Sequence, residues 1–238
     1  MPYTAGFFDA IGPGSRSSAK AALPVVFDAI GTPLSMLDVG CGTAGWLAAA
    51  QQLGVDTVAG VDGHAPADQL QIPLEAFTTA DLTQPLDLGQ QFDLVMSLEV
   101  AEHLPPSAAA TFVDSLARHG DVVLFSGAIP GQGGNEHLNE QWPPYWAELF
   151  GAHDFVLFDV VRPIVWDDDR IDYYYRQNML LFARAVAAER LAAKPAPRSA
   201  LNLVHPGTLS TFTDSGVRFA FKIAWGSIGR TLRKRLHR

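Results

Sequence analysis

An α/β fold with a mostly parallel sheet flanked by helices is predicted by three observations. Apolar runs of strand length alternate with helix-length segments between residues 34 and 183. The first of these runs, LDVGCGTAGW at 37–46, passes from strand through a glycine turn into a helix. And 48% of the 238 residues are hydrophobic, which is enough for one sizeable core and argues against two full domains.

Taken in order, residues 1–15 are rich in Gly and aromatics. Residues 17–30 read as a helix with Leu23, Val26, Phe27 and Ile30 on one side, despite Pro24, and are expected to cover a ligand site. Strands are expected at 34–39, 57–61, 76–80, 92–97 and 122–126, with helices at 45–53 and 107–119 between them. Such alternation implies right-handed crossovers and parallel strands. After a loop at 127–141 come a helix at 143–150 and strands at 155–161 and 178–183, giving seven strands in all. Residues 186–212 carry Pro195, Pro197 and Pro206 and read as a helix end followed by a linker. The division expected is therefore a domain over 1–190 with an N-terminal cap, then a Pro-containing linker and tail over 191–238.

The glycine turn carries the first chemistry. Leu37 and Val39 are strand-like, Gly40 and Gly42 let the backbone approach a ligand, and the helix opening at Gly45 offers N–H groups to polar ligand atoms. Asp62 closes the next apolar run about 20 residues further on, where a carboxylate can accept both hydroxyls of a ribose. From the loop alone, a dinucleotide site and a mere tight turn both remain open. The loop is D-x-G-x-G-x-A rather than G-x-G-x-x-G, however. Asp38 precedes the first glycine, and Asp81-Leu82 and FDLVMS at 92–97 follow at strand-end spacing.

That pattern resembles the class I S-adenosylmethionine-dependent methyltransferases. The resemblance covers about residues 34–184 and is most specific over 37–45, at Asp62 and over 92–104. It implies a Rossmann-like seven-stranded sheet whose last two strands form an antiparallel hairpin at one edge. It also implies S-adenosyl-L-methionine as cofactor, with Asp38 and the backbone at Gly40 facing the methionine half, Asp62 the ribose, and Asp81 with Leu82 the adenine. Cys41, Gly42, Gly63, Leu98 and Glu99 complete the implied cofactor-binding set. For Asp81 the plainer alternative is a turn cap. Ala44 stands where the family usually has its third glycine, and a slightly altered turn is expected there.

Past the fourth strand, SLEVAEHLPP at 97–106 gathers three polar groups. If 99–103 forms a helical turn, Glu99, Glu102 and His103 project from one face. This looks like the E-x-x-E-H element of metal-dependent small-RNA 2′-O-methyltransferases and of some quinone-ring O-methyltransferases. Two carboxylates and an imidazole suit Mg²⁺ or Mn²⁺, with Zn²⁺ admitted by the histidine. His137, in GQGGNEHLNEQ at 131–141 beyond the fifth strand, is either a fourth metal ligand or a general base, and His103 and His137 are the catalytic candidates. The alternative is a metal-free site in which the glutamate holds the cofactor and the histidine fixes the loop. A metal would serve a vicinal diol or catechol acceptor in particular, by lowering a hydroxyl pKa.

Trp142, Tyr145, Trp146 and Tyr173, Tyr174, Tyr175 offer aromatic faces with polar edges, which suit sugar rings, although Trp146, Leu149 and Phe150 equally suit packing of a helix on the sheet. The run at 136–146 also looks like methyltransferases of surface-polysaccharide and other saccharide assembly. Asp167, Asp168 and Asp169 read as a solvated acidic loop. His119, His153 and His205 carry no assignment, and His64 lies near enough to Asp62 to edge the cofactor pocket.

The formal charge of −8 hides an asymmetry, because residues 215–238 hold seven Lys/Arg and no Asp/Glu. The acidic remainder argues against a nucleic-acid partner, which needs a basic face. Apolar Phe219, Phe221, Ile223, Trp225, Ile228 and Leu232 interleave with the tail's basic residues, as in a basic amphipathic helix. Two readings stay open for it: peripheral contact with an anionic membrane surface, and docking on the chain's own acidic body or on a second copy. One cysteine, no secretory leader pattern and no run of 18 apolar residues fit a cytoplasmic protein. The activity expected is O-methylation of a saccharide or related polyol hydroxyl, in saccharide biosynthesis. The alternatives are a phenolic small molecule or quinone precursor as acceptor, and a non-catalytic cofactor-binding assembly module.

Overall fold

In the computed structural model, residues 5–189, 191 and 193–209 are described, with the helical backbone alone for residues 5 and 7–11. The elements in chain order are α1 (Ala5–Ile30), β1 (Ser35–Val39), α2 (Gly45–Gln52), β2 (Thr57–Asp62), β3 (Phe77–Thr79), β4 (Leu94–Leu98), α3 (Ala109–Arg118), β5 (Val122–Ser126), α4 (Pro143–Gly151), β6 (Phe155–Phe158), α5 (Arg162–Val165), α6 (Tyr173–Asn178), β7 (Leu180–Arg184) and α7 (Ala185–Ala188). The strands form one seven-stranded sheet in the order β3-β2-β1-β4-β5-β7-β6. β1 to β5 run parallel, and β7 lies antiparallel between β5 and β6.

Both faces of the sheet are covered, so its strands are apolar on both sides. Met36, Leu94 and Met96 face the layer of α1 and α2, with Leu23, Val26 and Leu47. Leu37 and Val95, their chain neighbours, face the layer of α3 and α4, with Phe112, Leu116 and Phe150. Strand order reverses at β1, which has β2 on one side and β4 on the other. A crevice opens at the carboxyl ends of the strands at such a switch point, and here the glycine turn and Glu99 flank it.

Several boundaries differ from the expectation. The first helix begins at Ala5 rather than at 17 and runs through Pro13 and Pro24. A proline inside a helix costs about 3 kcal/mol, and around Pro24 that cost is opposed by burial of Ala19, Ala22, Leu23 and Val26, all fully covered. The strand expected over 155–161 stops at Phe158, because Asp159 turns to receive the Arg162 guanidinium (Nε–Oδ1 2.9 Å, Nη2–Oδ2 2.6 Å) as α5 begins. The strand expected from 178 begins at Leu180, and the short α6 before it had not been foreseen.

Contacts divide the chain between Leu203 and Val204. In the first unit, residues beyond 190 have little regular structure, yet Leu191 and Leu201 are buried in the core. Ala196 N–H donates to Leu157 (2.9 Å), and Arg162 Nη1 donates to the Leu201 carbonyl (3.0 Å). Of the second unit only residues 204–209 are described, with a helical turn at 206–209. The amphipathic tail expected over 217–237 lies outside the described residues. Among those that are described, no helix is long and apolar enough to cross a membrane.

Candidate active site

A cavity of about 980 Å³ opens at the switch point. Asp38, Gly40, Cys41, Gly42, Asp62, Gly63, Asp81, Leu82, Leu98, Glu99, Glu102, His103 and His137 all line it. Every residue singled out from the sequence for cofactor, metal or catalysis is therefore brought to one space. From α1, Gly12 and Ser15 also reach it. Arg16 Nη1 meets Gln71 Oε1 at 3.4 Å, and Gln71 Nε2 in turn donates to Thr43 Oγ1 (3.1 Å), tying that helix to the glycine loop.

The loop is shaped by backbone. Gly40, Gly42 and Ala44 all have positive φ (86°, 52° and 61°). Gly40 N–H and Cys41 N–H both donate to the Val61 carbonyl (2.7 and 3.1 Å), drawing the loop onto β2. A side chain at Gly40 would collide with that of Val100, so the close approach requires glycine there. Ala44 adopts the left-handed conformation that the family's glycine would supply. Gly42 N–H donates to Asp62 Oδ2 (2.9 Å), while Asp62 Oδ1 accepts from His64 N–H (2.7 Å) and Ala65 N–H (2.9 Å). Asp62 is thus first an organiser of both loops, and Oδ2 keeps the freer lone pair for a ligand.

Asp38 is buried, and burial followed by the Asp62 charge holds its carboxyl well above the usual range. The same causes, with Asp38 added, push the Cys41 thiol up. A cationic group placed beside Asp38 would relieve this repulsion. Asp81 is exposed at the far end, where Oδ1 accepts from Thr83 Oγ1 (2.7 Å) and Thr83 N–H (2.9 Å), and these bonds lower its pKa. It caps a turn while it lines the cavity, so the two readings of this residue are not exclusive.

The other wall is made of side chains. The helical turn expected over 99–103 is a 3-10 turn confined to Ala101–His103. Glu99 has φ 55° and Val100 φ −122°, so Glu99 and Glu102 do not share a helix face. Glu99 N–H donates to both the Ser126 carbonyl (3.1 Å) and its hydroxyl (3.0 Å). The Glu99 carboxylate receives Gln132 Nε2 on Oε2 (2.9 Å) and Asn178 Nδ2 on Oε1 (3.0 Å). Glu102, His103 and His137 instead bring one ligand atom each to within 4.8 Å of one another, and Glu99 is outside that group.

Both Glu102 oxygens are buried with no hydrogen-bond partner. Burial, then the Glu99 charge, raises the Glu102 carboxyl well above its ordinary value. Burial and the nearby His137 lower His103 to about 4. His137 Nδ1 lies 2.9 Å from Glu140 Oε1, whose two oxygens also accept Gly131 N–H (2.7 Å) and Gly133 N–H (2.8 Å). An ionised Glu140 fixes the proton on Nδ1 and leaves the Nε2 lone pair for the cavity, the arrangement typical of a ligating histidine. A divalent cation fits this constellation, since it would satisfy the two orphaned Glu102 oxygens. Two imidazoles and one carboxylate suit Mn²⁺, Fe²⁺ or Zn²⁺ better than Mg²⁺, which prefers oxygen throughout.

Of the aromatic candidates, Tyr173, Tyr174 and Tyr175 line the cavity, with Tyr175 edge-on to Trp46 at 5.1 Å. Trp146 is core, packed on Phe125 at 5.1 Å. The acidic run is tied by arginines, with Asp168 to Arg170 (2.6 Å) and Asp169 to Arg176 (3.0 Å). His64 edges the cavity, whereas His119 is a buried clip between the Ser115 carbonyl and Leu88 N–H. Sequence reasoning missed Gln132, Gln177, Asn178 and Glu140. Only Glu140, three residues after His137, had a local signal.

Residues 15–156, more than half of the chain, match the methyltransferase domain family. A stretch of 102 residues is 37% identical to the ubiquinone biosynthesis O-methyltransferase of Pseudomonas syringae pv. tomato, covering 38% of this chain and 43% of that one. Another of 128 residues is 31% identical to the ribosomal protein L11 methyltransferase of Methylobacillus flagellatus, covering 50% and 41%. The chain thus spans about two fifths of the length of these curated relatives. Among solved structures, the sugar N-methyltransferase KedS8 of Streptoalloteichus superposes with a TM-score of 0.57 at 18% identity, over 77% of this chain and 94% of that one. Magnesium protoporphyrin IX methyltransferase of Synechocystis, solved with bound SAH, superposes with 0.55 at 20% identity, over 72% and 84%. With its sheet order, its glycine turn and this match, the chain belongs to the methyltransferase domain family, in the class I S-adenosylmethionine-dependent group.

Proposed function

We propose that the protein is an S-adenosylmethionine-dependent O-methyltransferase acting on a hydroxyl of a small saccharide or related polyol. The observation that carries this reading is the cluster of Glu102, His103 and His137 in the same cavity as the glycine loop and Asp62. Cofactor bound along Gly40, Gly42 and Asp62 would direct its methyl toward the histidine wall. As the acceptor oxygen bonds to the methyl carbon, the S–CH₃ bond breaks with its electron pair going to sulfur, and the acceptor's O–H proton passes to an imidazole nitrogen. His103, held to about 4, is neutral at physiological pH and able to accept that proton, as is the Nε2 lone pair of His137. With a divalent cation held by Glu102, His103 and His137, those lone pairs would be taken up as ligands, and the cation would instead supply acidification of a bound hydroxyl, whose proton leaves to solvent.

The lining favours an uncharged acceptor. Asp38, Asp62, Asp81, Glu99 and Glu102 contribute acid to the cavity, and among the described residues no Lys or Arg lines it. A phosphorylated acceptor would enter without a cationic partner from the protein. A second reading, a phenolic or quinone-precursor acceptor, is favoured by the 37% identical stretch shared with the ubiquinone biosynthesis enzyme and by the three-tyrosine wall.

Transfer of radiolabelled methyl from S-adenosylmethionine into host extract, fractionated into saccharide, lipid, small-aromatic and nucleic-acid pools, tests the proposal. Label in the saccharide pool that EDTA abolishes is the expected result. Label in the aromatic pool moves the acceptor to the second reading, and label that EDTA leaves unchanged removes the cation.

A further inference from the structure

We infer that Gln132, Gln177 and Asn178 form a carboxamide clamp that positions the Glu99 carboxylate for the cationic end of the cofactor. The inference rests on the cofactor reading above. Asn178 Nδ2 and Gln132 Nε2 each take one Glu99 oxygen (3.0 and 2.9 Å). Gln177 Nε2 then donates to both Gln132 Oε1 (2.9 Å) and Asn178 Oδ1 (3.0 Å), and Asn178 Nδ2 also reaches Gln132 Oε1 (2.9 Å). All three amides are buried, at 6%, 1% and 3% exposure for Gln132, Gln177 and Asn178. The ring is anchored from behind by the buried Arg162, whose Nη1 donates to the Gln177 carbonyl (3.3 Å).

A buried amide network is stabilising only when its members satisfy one another, and this one converges on a single carboxylate. Two glutamates three residues apart thereby receive opposite surroundings. Glu99 has an N–H donor on each oxygen, and these bonds oppose the burial that raises its carboxyl. Glu102 has no amide side chain on either oxygen and stands beside Glu99, His103 and His137. The donors come from the loop after β5 and from the end of α6, so the clamp also ties the His137 loop to the cofactor wall. Leu138 N–H and Asn139 N–H complete that tie by donating to the Glu102 carbonyl (2.7 and 3.0 Å).

The test compares cofactor affinity with thermal stability in the full chain. Asn178→Asp keeps the shape but replaces a donor with a like charge against Glu99. Calorimetric titration with S-adenosylmethionine is expected to read an affinity about tenfold weaker or worse, the scale of one charge-assisted contact. The double variant Glu99→Gln with Asn178→Asp restores the amide–carboxylate pairing with its charge on the wrong residue. Recovery of the melting temperature without recovery of affinity is the outcome that a positioning role requires. If affinity returns together with stability, the network is only structural and the inference is wrong. Should Asn178→Asp not fold, Gln132→Ala on the loop carries the same comparison, and affinity within twofold of wild type overturns the clamp. Wild-type protein that binds no S-adenosylmethionine would instead overturn the cofactor reading itself.

Discussion

The two walls of the cavity are built on different principles. The cofactor wall is local and made of backbone: Gly40 to Gly45, the amides that Asp62 accepts, and the Val61 carbonyl hold its shape within about two turns of the βαβ unit. The histidine wall is assembled from distant segments through side chains. Glu99, the loop that carries Gln132 and His137, and Asn178 arrive from three places in the chain and are fixed by side-chain contacts with one another and with Glu140. A wall shaped by backbone tolerates little change at the glycines and much elsewhere, whereas a wall shaped by side-chain networks responds to the protonation of its members.

Gly40→Ala is expected to give the largest effect. The new methyl would enter a left-handed conformation (φ 86°) and strike the Val100 side chain. Left-handed strain and overpacking together amount to about 2–5 kcal/mol, read as a lower urea midpoint, with loss of S-adenosylmethionine binding by calorimetry. Adding Val100→Ala should restore the overpacking part but not the strain. If Gly40→Ala alone binds cofactor normally, the loop is not shaped by backbone contact and the contrast between the walls fails.

That contrast also explains what could be read in advance. The D-x-G-x-G-x-A turn, Asp62 and the strand alternation are signals contained in short windows; the parallel sheet follows from the alternation, and its terminal antiparallel pair from the family resemblance that those windows carry. The start of α1 was misplaced because its prolines oppose helix locally while burial of Leu23 and Val26 supports it through tertiary contact. Glu99 and Glu102 were expected on one face because i, i+3 spacing presumes a regular helix, and the positive φ at Glu99 leaves no trace in composition. Gln132 and Asn178 are 46 residues apart, and a pair of buried amides has no period or motif to reveal it.

The histidine wall should declare itself through pH. In metal-stripped protein, His103 has a folded-state value of about 4 against 6.5 for the free group. Between those values the unfolded chain binds a proton that the folded chain does not, so stability is complete above pH 6.5 and falls as pH drops toward 4. The contribution is about 3 kcal/mol, read as the difference between wild type and His103→Asn in urea melts at pH 7 and pH 4. Taking the difference removes the opposite trend of the buried Glu102 carboxyl. A difference that stays flat over this range would mean that the folded imidazole titrates as the free group does and that burial does not hold it neutral.

The smallest expected effect returns to the cofactor wall, at Ala44. This residue holds φ 61° and ψ 31° at the N-cap of α2, donates its N–H to the Cys41 carbonyl (2.8 Å), and is fully buried. Replacing it with glycine removes left-handed strain of about 1–2 kcal/mol. The same change deletes a buried methyl worth about 0.8 kcal/mol, and it frees the unfolded chain by a further 0.5–1 kcal/mol or so. The terms nearly cancel, so Ala44→Gly should shift the urea midpoint by less than the equivalent of about 1 kcal/mol, with an unchanged m-value. A clear gain would mark the alanine as strained and the turn as one that glycine fits better. A loss beyond about 2 kcal/mol would show that the methyl is a packing element, which would make the departure from the family's glycine part of the core rather than a tolerated exception in the loop.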